Sequence, residues 1–254
     1  MEEYLQEIGN LYKVFRVTPK KPLQPDPEPV PTLRVRGTGR TEMDLYPALK
    51  RLRQAIQDRY VGMQQTEMDT HVFTATTWDG RPLIAEKPYV GLQRGIQLLG
   101  ATRDTNYLGT YPNFMLREGN GEFVIAYGVN HQKSGKTTYS SVSLYADPVR
   151  WVGVGTMLSN KFEGSAEQYL SGDPEAEMLY AIKVTRNCNN EAYCLEIKQP
   201  DFKDINGEPY ICYPPLILDE QEMFFIFRSY MEPSTKVSPD DNELLYDRAI
   251  YFNP

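Results

Sequence analysis

The chain has few of the residues on which many active sites depend. Its 254 residues include two histidines, three cysteines and two tryptophans. His71 and His131 are far apart, and neither has a second histidine at the spacing of a metal site. No Gly-x-Ser-x-Gly elbow, His-Glu-x-x-His motif or glycine-rich dinucleotide turn is present. We therefore expect neither a metal nor a cofactor.

An excess of basic residues and long apolar runs are also lacking. Lys and Arg number 27 against 34 Asp and Glu, a net charge of −7, which argues against nucleic acid as a partner. No run approaches the length of about 18 apolar residues that a membrane-spanning helix needs. The N-terminus is acidic and amphipathic rather than a signal peptide, which predicts a cytoplasmic protein unless a presequence has been removed.

The cysteines leave two interpretations open. An odd, low count is typical of a reducing compartment and free buried thiols. Cys188 and Cys194, however, flank the residues NNEAY in a predicted hairpin. In that position the two side chains can face each other, so a single disulfide is the alternative.

Before residue 65 the sequence predicts two helices and a stiff connection. Apolar residues at helical spacing predict an amphipathic helix over 1–17. Six prolines between Pro19 and Pro31 then indicate an extended linker over 18–40. The first helix must bury its apolar face, either on its own domain or on a neighbouring chain. The second alternative makes the N-terminal arm the contact of a homo-oligomer.

A second helix is predicted over 41–64, packed on the main domain. Leu45, Leu49, Leu52, Ile56 and Tyr60 recur at helical spacing, after a capping signal at Thr41 and Asp44. Its other side carries the basic residues Lys50, Arg51, Arg53 and Arg59. A solvated face is the commoner meaning of such a pattern, and a phosphate or membrane contact is the alternative.

Residues 65–254 read as one mainly β domain. A strand pair is predicted around Asp79-Gly80 and a short helix over 89–99. Further strands are predicted over 113–118, 122–130, 137–146, 151–157, 177–186, 192–198, 209–213, 222–230 and 246–252. Many short strands separated by turns favour a jelly-roll-like antiparallel β-sandwich.

One segment superficially resembles a phosphate-binding loop. Ser134-Gly135-Lys136-Thr137 lacks the earlier glycine of the P-loop, because residue 130 is Asn. A strand rather than a helix is predicted to follow it, so no helix N-terminus is present to bind phosphate. We interpret the segment as a hairpin turn.

The candidate site residues come from two strands and one loop. Alternation places Tyr139, Ser141, Ser143 and Tyr145 on one face of their strand, and Arg228 and Tyr230 on one face of another. These residues are the candidate ligand-binding set, with Tyr139, Tyr145 and Tyr230 as candidate acid–base groups. His131 is the remaining candidate catalytic residue, since its ordinary pKa lies near neutrality. The alternative for the first strand is a solvent-exposed outer face. The alternative for the second strand is that Arg228 has a structural role.

Three motifs together resemble a known family. They are Arg228-x-Tyr230-x-x-Pro233, the preceding Tyr213-Pro214-Pro215, and the strand Tyr139–Tyr145. They are similar to the uncharacterised, largely bacterial proteins that contain the twelve-fifty-four and twelve-fourteen domains of unknown function. The match is to the C-terminal, twelve-fourteen module over about residues 89–240. It implies a jelly-roll-like sandwich and no particular activity.

The sequence leaves two functions open. The first is a protein that binds a small organic ligand or serves in an assembly, which the lack of any catalytic motif favours. The second is a cofactor-independent enzyme of the isomerase, cyclase or lyase type. Its Tyr and His side chains would transfer protons, and Arg228 would hold an anion.

Overall fold

The computed structural model describes residues 40–72, 105–149, 151–199, 216–240 and 243–254. Within these ranges the chain has one α-helix and nine β-strands. The strands are β1 Gln64–Val72, β2 Thr105–Tyr111, β3 Phe123–Val129, β4 Tyr139–Ala146, β5 Val152–Leu158, β6 Leu179–Thr185, β7 Cys194–Glu196, β8 Met223–Tyr230 and β9 Arg248–Asn253. The mainly β class expected from the sequence is therefore confirmed.

Helix α1 spans Tyr46–Arg59 and follows a 3-10 turn at Met43–Leu45. Its buried residues Ala48, Leu49, Leu52 and Ile56 lie on one face, as the apolar spacing predicts. The hydroxyl of Thr41 accepts a hydrogen bond from the Met43 N–H at 3.5 Å. Neither the 3-10 turn nor α1 has a side-chain hydrogen bond at its N-cap residue, so the predicted capping is not observed, and α1 begins five residues later than expected.

All nine strands belong to one sheet, in the order β5-β4-β8-β2-β1-β9-β3-β6-β7. Strand β1 joins its two halves, because residues 69–72 pair with β2 and residues 64–68 pair with β9. Every pair is antiparallel except β6 with β7. The predicted jelly-roll-like sandwich is not confirmed: the described strands form a single sheet, nearly closed into a barrel.

The two edges of the sheet approach each other at Gly155 in β5. A Cβ atom at this position would lie 2.5 Å from Ile197 Cδ1 and 3.3 Å from Leu195 Cδ2. A larger residue at this position would require the Ile197 side chain to move, so glycine allows the β5 edge to lie close to β7 and the residue that follows it.

Apolar residues fill both sides of the sheet, with alternate residues of each strand on opposite sides. The interior contains, among others, Leu108, Val124, Val142, Ile182, Phe225 and Phe227. On the outer side of β3, β6 and β9 a second cluster packs against α1, including Phe123, Ile125, Ala181, Ile250 and Phe252. The helix thus covers one half of the barrel.

Several sequence predictions about strands are wrong. Residues 113–118 form no strand, and Phe114 makes only an isolated bridge with Met223. The sequence predicts neither strand β2 at Thr105–Tyr111 nor strand β1 at Gln64–Val72. Strands β6 and β7, expected to form a hairpin, pair in parallel.

Cys188 and Cys194 form a disulfide in the connection between β6 and β7, with their Cα atoms 5.8 Å apart. The expectation of free thiols is therefore wrong for these two residues, and the alternative interpretation holds. The connection returns the chain to the same edge of the sheet, and this return brings the two cysteines together.

Other predictions lie outside the described residues. They are the helix over 1–17, most of the linker over 18–40, the turn at Asp79-Gly80, the helix over 89–99, the strand over 209–213 and Cys212.

Candidate functional site on the tyrosine–arginine face

The predicted binding residues lie together on the outer side of β2, β4 and β8. Strand β4 pairs with β8 so that Tyr139 is opposite Tyr230 and Ser141 is opposite Arg228. Strand β2 pairs with the other side of β8 and places Tyr107 opposite Arg228. Residues directly opposite each other share a face. We call this group the tyrosine–arginine face: Tyr107, Tyr139, Ser141, Ser143, Tyr145, Arg228 and Tyr230.

Arg228 is at the centre of the tyrosine–arginine face. Its Nη1 donates a hydrogen bond to the Ser143 hydroxyl at 2.8 Å, and its Nη2 donates to the Tyr145 hydroxyl. The guanidinium carbon lies 5.3 Å from the ring centroid of Tyr107 and 5.5 Å from that of Tyr145. Both rings lie within the distance at which a cation is attracted to an aromatic face.

All these partners of Arg228 are neutral. No carboxylate of the described residues forms an ion pair with its guanidinium, although the side chain is half-buried. Burial by itself lowers the pKa of Arg228, but the hydrogen bond to Tyr145 and the electrostatic attraction of the surrounding tyrosines together outweigh it, so the pKa is raised. The face therefore carries a permanent positive charge that no carboxylate of the described part of the chain balances.

Tyr139 and Tyr230 form a flat aromatic platform beside Arg228. Their rings are stacked at 4.1 Å between centroids with an interplanar angle of 13°. Burial, followed by the hydrogen bond to Tyr139, raises the pKa of Tyr230 to about 12. The Tyr230 hydroxyl is therefore protonated at neutral pH. Tyr139 keeps 37% of its surface exposed and is open to contact from outside.

His131 does not join this group. Its Nδ1 lies 2.9 Å from Glu42 Oε1, and its Nε2 lies 3.2 Å from Asp247 Oδ2. We call these three buried residues the His131 clamp. Burial by itself lowers the pKa of His131, but the charges of Glu42 and Asp247 outweigh it and hold the pKa well above its ordinary value.

The His131 clamp has the properties of a structural ion cluster. Both ring nitrogens are occupied, and a protonated imidazole donates from both of them. Glu42 also accepts from the Leu245 N–H at 2.9 Å, and Asp247 accepts from the Tyr180 hydroxyl at 2.6 Å. An imidazole that is 1% exposed and whose pKa is held well above its ordinary value is poorly suited to general acid–base catalysis, so the geometry lends no support to a catalytic His131.

The Ser134–Thr137 segment is a turn, as predicted, but not a hairpin. It connects β3 to β4, which lie in different halves of the sheet. The ammonium of Lys136 is buried and lies 3.3 Å from Glu232 Oε1 and 3.4 Å from Glu243 Oε1. The lysine is thus already neutralised by protein carboxylates, which argues against a phosphate loop.

Sequence reasoning missed Tyr107, Glu42 and Asp247 as members of these groups. Tyr107 had a recognisable signal, because Thr105, Tyr107, Gly109 and Tyr111 alternate with Asn106, Leu108 and Thr110. Glu42 and Asp247 had none, since each is one acidic residue in an irregular segment and meets His131 only through the fold.

Neither a metal site nor a membrane-spanning helix is evident in the described part of the chain. No group of three or more His, Cys, Asp or Glu side chains there is arranged to hold a metal ion. No helix in that part is both long and apolar enough to cross a membrane. Comparison with known proteins found no matching protein-family model, no matching curated protein and no matching solved structure.

Proposed function

We propose that the protein binds a small organic anion on the tyrosine–arginine face. The observation that carries this proposal is the half-buried guanidinium of Arg228, whose partners are two hydroxyls and two aromatic rings. A charge removed from water without a counter-ion is costly, and an anionic ligand would relieve that cost. The positive charge of Arg228 and its neutral surroundings thus support the binding of an anion.

The ligand should combine a carboxylate with a flat ring. An arginine has five N–H donors, and the Ser143 and Tyr145 hydroxyls accept from two of its nitrogens. The remaining donors suit a carboxylate, which arginine binds in a planar, two-point geometry. The stacked rings of Tyr139 and Tyr230 offer an adjacent surface on which an aromatic or unsaturated ring can lie.

The geometry favours binding over a cofactor-independent isomerase, cyclase or lyase. Proton transfer near neutral pH needs a group that titrates there. The pKa of Tyr230 is about 12, and that of His131 is held well above its ordinary value because the adjacent carboxylates outweigh the effect of burial. Neither residue is therefore poised to accept and return a proton.

The test is a titration with benzoate and with neutral benzamide, followed by amide chemical shifts in NMR spectra. We expect benzoate to shift resonances of β2, β4 and β8 and to bind at least tenfold more tightly than benzamide. Arg228→Gln should weaken benzoate binding about tenfold or more, the usual effect of losing a charge-assisted hydrogen bond. Tyr139→Ala should weaken benzoate and benzamide to similar extents.

Arg51→Gln is the matched control. It removes the same charge from an arginine that pairs with Asp173 and Glu175 on the surface. Such exposed pairs contribute little to stability. Equal benzoate affinities in wild type, Arg228→Gln and Arg51→Gln would refute the proposed function.

Other sequence predictions stand beside this proposal as predictions. They are the jelly-roll-like sandwich, the resemblance to the twelve-fourteen module, the homo-oligomer contact through the N-terminal arm, the exclusion of nucleic acid and the cytoplasmic location.

A further inference from the structure

A cavity separate from the tyrosine–arginine face lies between α1 and the outer side of strands β1, β3 and β9. Its volume is about 270 Å³. Its charged lining residues are Lys50 and Arg53 from α1, Glu67 from β1 and Arg248 from β9. Three cations and one anion leave this cavity with a charge of +2, in a chain whose net charge is −7.

The single carboxylate is already occupied. Arg53 Nε donates to both oxygens of Glu67 at 2.8 Å, and the Tyr127 hydroxyl donates to Oε1 at 3.1 Å. Burial by itself raises the pKa of Glu67, but the hydrogen bonds and charge of Arg53, together with smaller effects of Tyr127 and Arg248, outweigh it, so the pKa is lowered. Glu67 is therefore a charged partner bound chiefly to Arg53, and one carboxylate cannot neutralise all three cations of the lining.

Among the described residues, Arg248 and Lys50 have no hydrogen-bonded counter-ion, although Arg248 forms an ion pair with Glu67. Arg248 Nη1 is 3.5 Å from Glu67 Oε1, and its guanidinium makes no side-chain hydrogen bond within the described residues. The ammonium of Lys50 lies 4.9 Å from the centroid of the Tyr46 ring, and no carboxylate in the same part of the chain pairs with it. The guanidinium of Arg248 and the ammonium of Lys50 thus border the same cavity.

We propose that this cavity binds a phosphate-type oxyanion, held by Arg248 and Lys50. The dianionic charge of phosphate matches the +2 charge of the lining. Its tetrahedral oxygens accept hydrogen bonds from several directions, as the planar guanidinium and the more mobile ammonium require. The buried side chains of Leu49 and Tyr127 form part of the wall, and a charge is less well screened beside such side chains than in open water.

Two sources share this chemistry: free inorganic phosphate and the phosphate group of a small organic phosphate. The volume admits either one. The rings of Tyr46 and Tyr127 also border the cavity and provide apolar contact for an organic portion. The experiment therefore uses inorganic phosphate and glycerol phosphate as separate probes.

The test is a titration of the full chain with each probe, by calorimetry and by amide chemical shifts. We expect shifts at residues of α1 next to Lys50 and at Arg248, and an affinity that falls as salt is added. Lys50→Gln and Arg248→Gln should each weaken binding about tenfold or more. Lys50 is exposed, so its replacement keeps the test valid even if Arg248→Gln lowers stability.

Two controls separate this site from general charge effects and from the proposed function. Lys161→Gln removes an equal charge from an exposed lysine outside the cavity and should leave the affinity unchanged. The amide shifts caused by phosphate should also lie at Lys50 and Arg248 rather than on β2, β4 and β8, which separates the cavity from the tyrosine–arginine face. No saturable binding at millimolar probe, or equal affinity in Lys50→Gln and Lys161→Gln, would overturn the proposal.

Discussion

The His131 clamp should make the protein less stable as pH rises above about 6.5. In the unfolded chain His131 has its ordinary pKa of about 6.5 and loses its proton above that pH. In the folded protein the pKa is raised, because the charges of Glu42 and Asp247 outweigh the effect of burial, so the proton is retained. The folded state then binds one more proton than the unfolded state.

The sign and size of the effect follow from that proton. The free energy of unfolding falls with pH wherever the unfolded state binds fewer protons, by about 1.4 kcal/mol per pH unit for one proton. The stabilisation is complete below about pH 6.5 and is lost as pH rises towards the folded pKa. Urea titrations at intervals between about pH 6.5 and 8.5 would measure this slope.

His131→Gln tests the same reasoning at one residue. The variant leaves Glu42 and Asp247 buried without their cation, which typically costs about 3–5 kcal/mol. It should also abolish the slope above about pH 6.5, because the titrating group is gone.

His71 is the matched control, as the other histidine of the chain. Burial lowers the pKa of His71 to about 4. Its protonation therefore changes stability only between about pH 4 and 6.5, where stability rises with pH. His71→Gln should keep the slope at higher pH. The explanation fails if wild type and His131→Gln have the same slope above about pH 6.5.

Three further outcomes are expected. Phe225→Ala should lower the free energy of unfolding by about 3–5 kcal/mol in a denaturant titration, because the ring is fully buried. Val149→Ala, at a residue 91% exposed, is its control, and a loss under about 1 kcal/mol at Phe225 would contradict a central β8. Reducing the Cys188–Cys194 disulfide should cost about 2 kcal/mol, the entropy of closing a short loop, and an unchanged midpoint with and without reductant would count against this. Deleting residues 1–31 should change the mass measured by light scattering or expose an apolar surface that promotes aggregation. Unchanged mass, solubility and thermal stability would show that the arm makes no docking contact.

The tyrosine–arginine face shows which parts of the candidate site the alternation of residues in the sequence can predict. Alternation in β4 and β8 placed Tyr139, Tyr145, Arg228 and Tyr230 on defined sides of two strands. Whether those sides coincide depends on which strands are neighbours, and β4 and β8 are far apart in sequence. The sheet order brings them together, and β2 then adds Tyr107 to the same surface.

The amino-acid sequence alone determined the mainly β class, the helix around Leu49 to Ile56 and the sides of the strands, because each follows from the spacing of apolar residues over a few positions. The sequence also showed that the Gly-x-Ser-x-Gly, His-Glu-x-x-His and dinucleotide-binding motifs are absent. Tertiary structure decided the rest. The nine-stranded order, the enclosure of His131 by Glu42 and Asp247, and the cavity that Lys50 and Arg248 both line join residues from distant segments. Such contacts depend on how strands pair and helices pack across the whole chain, and no local periodicity encodes them.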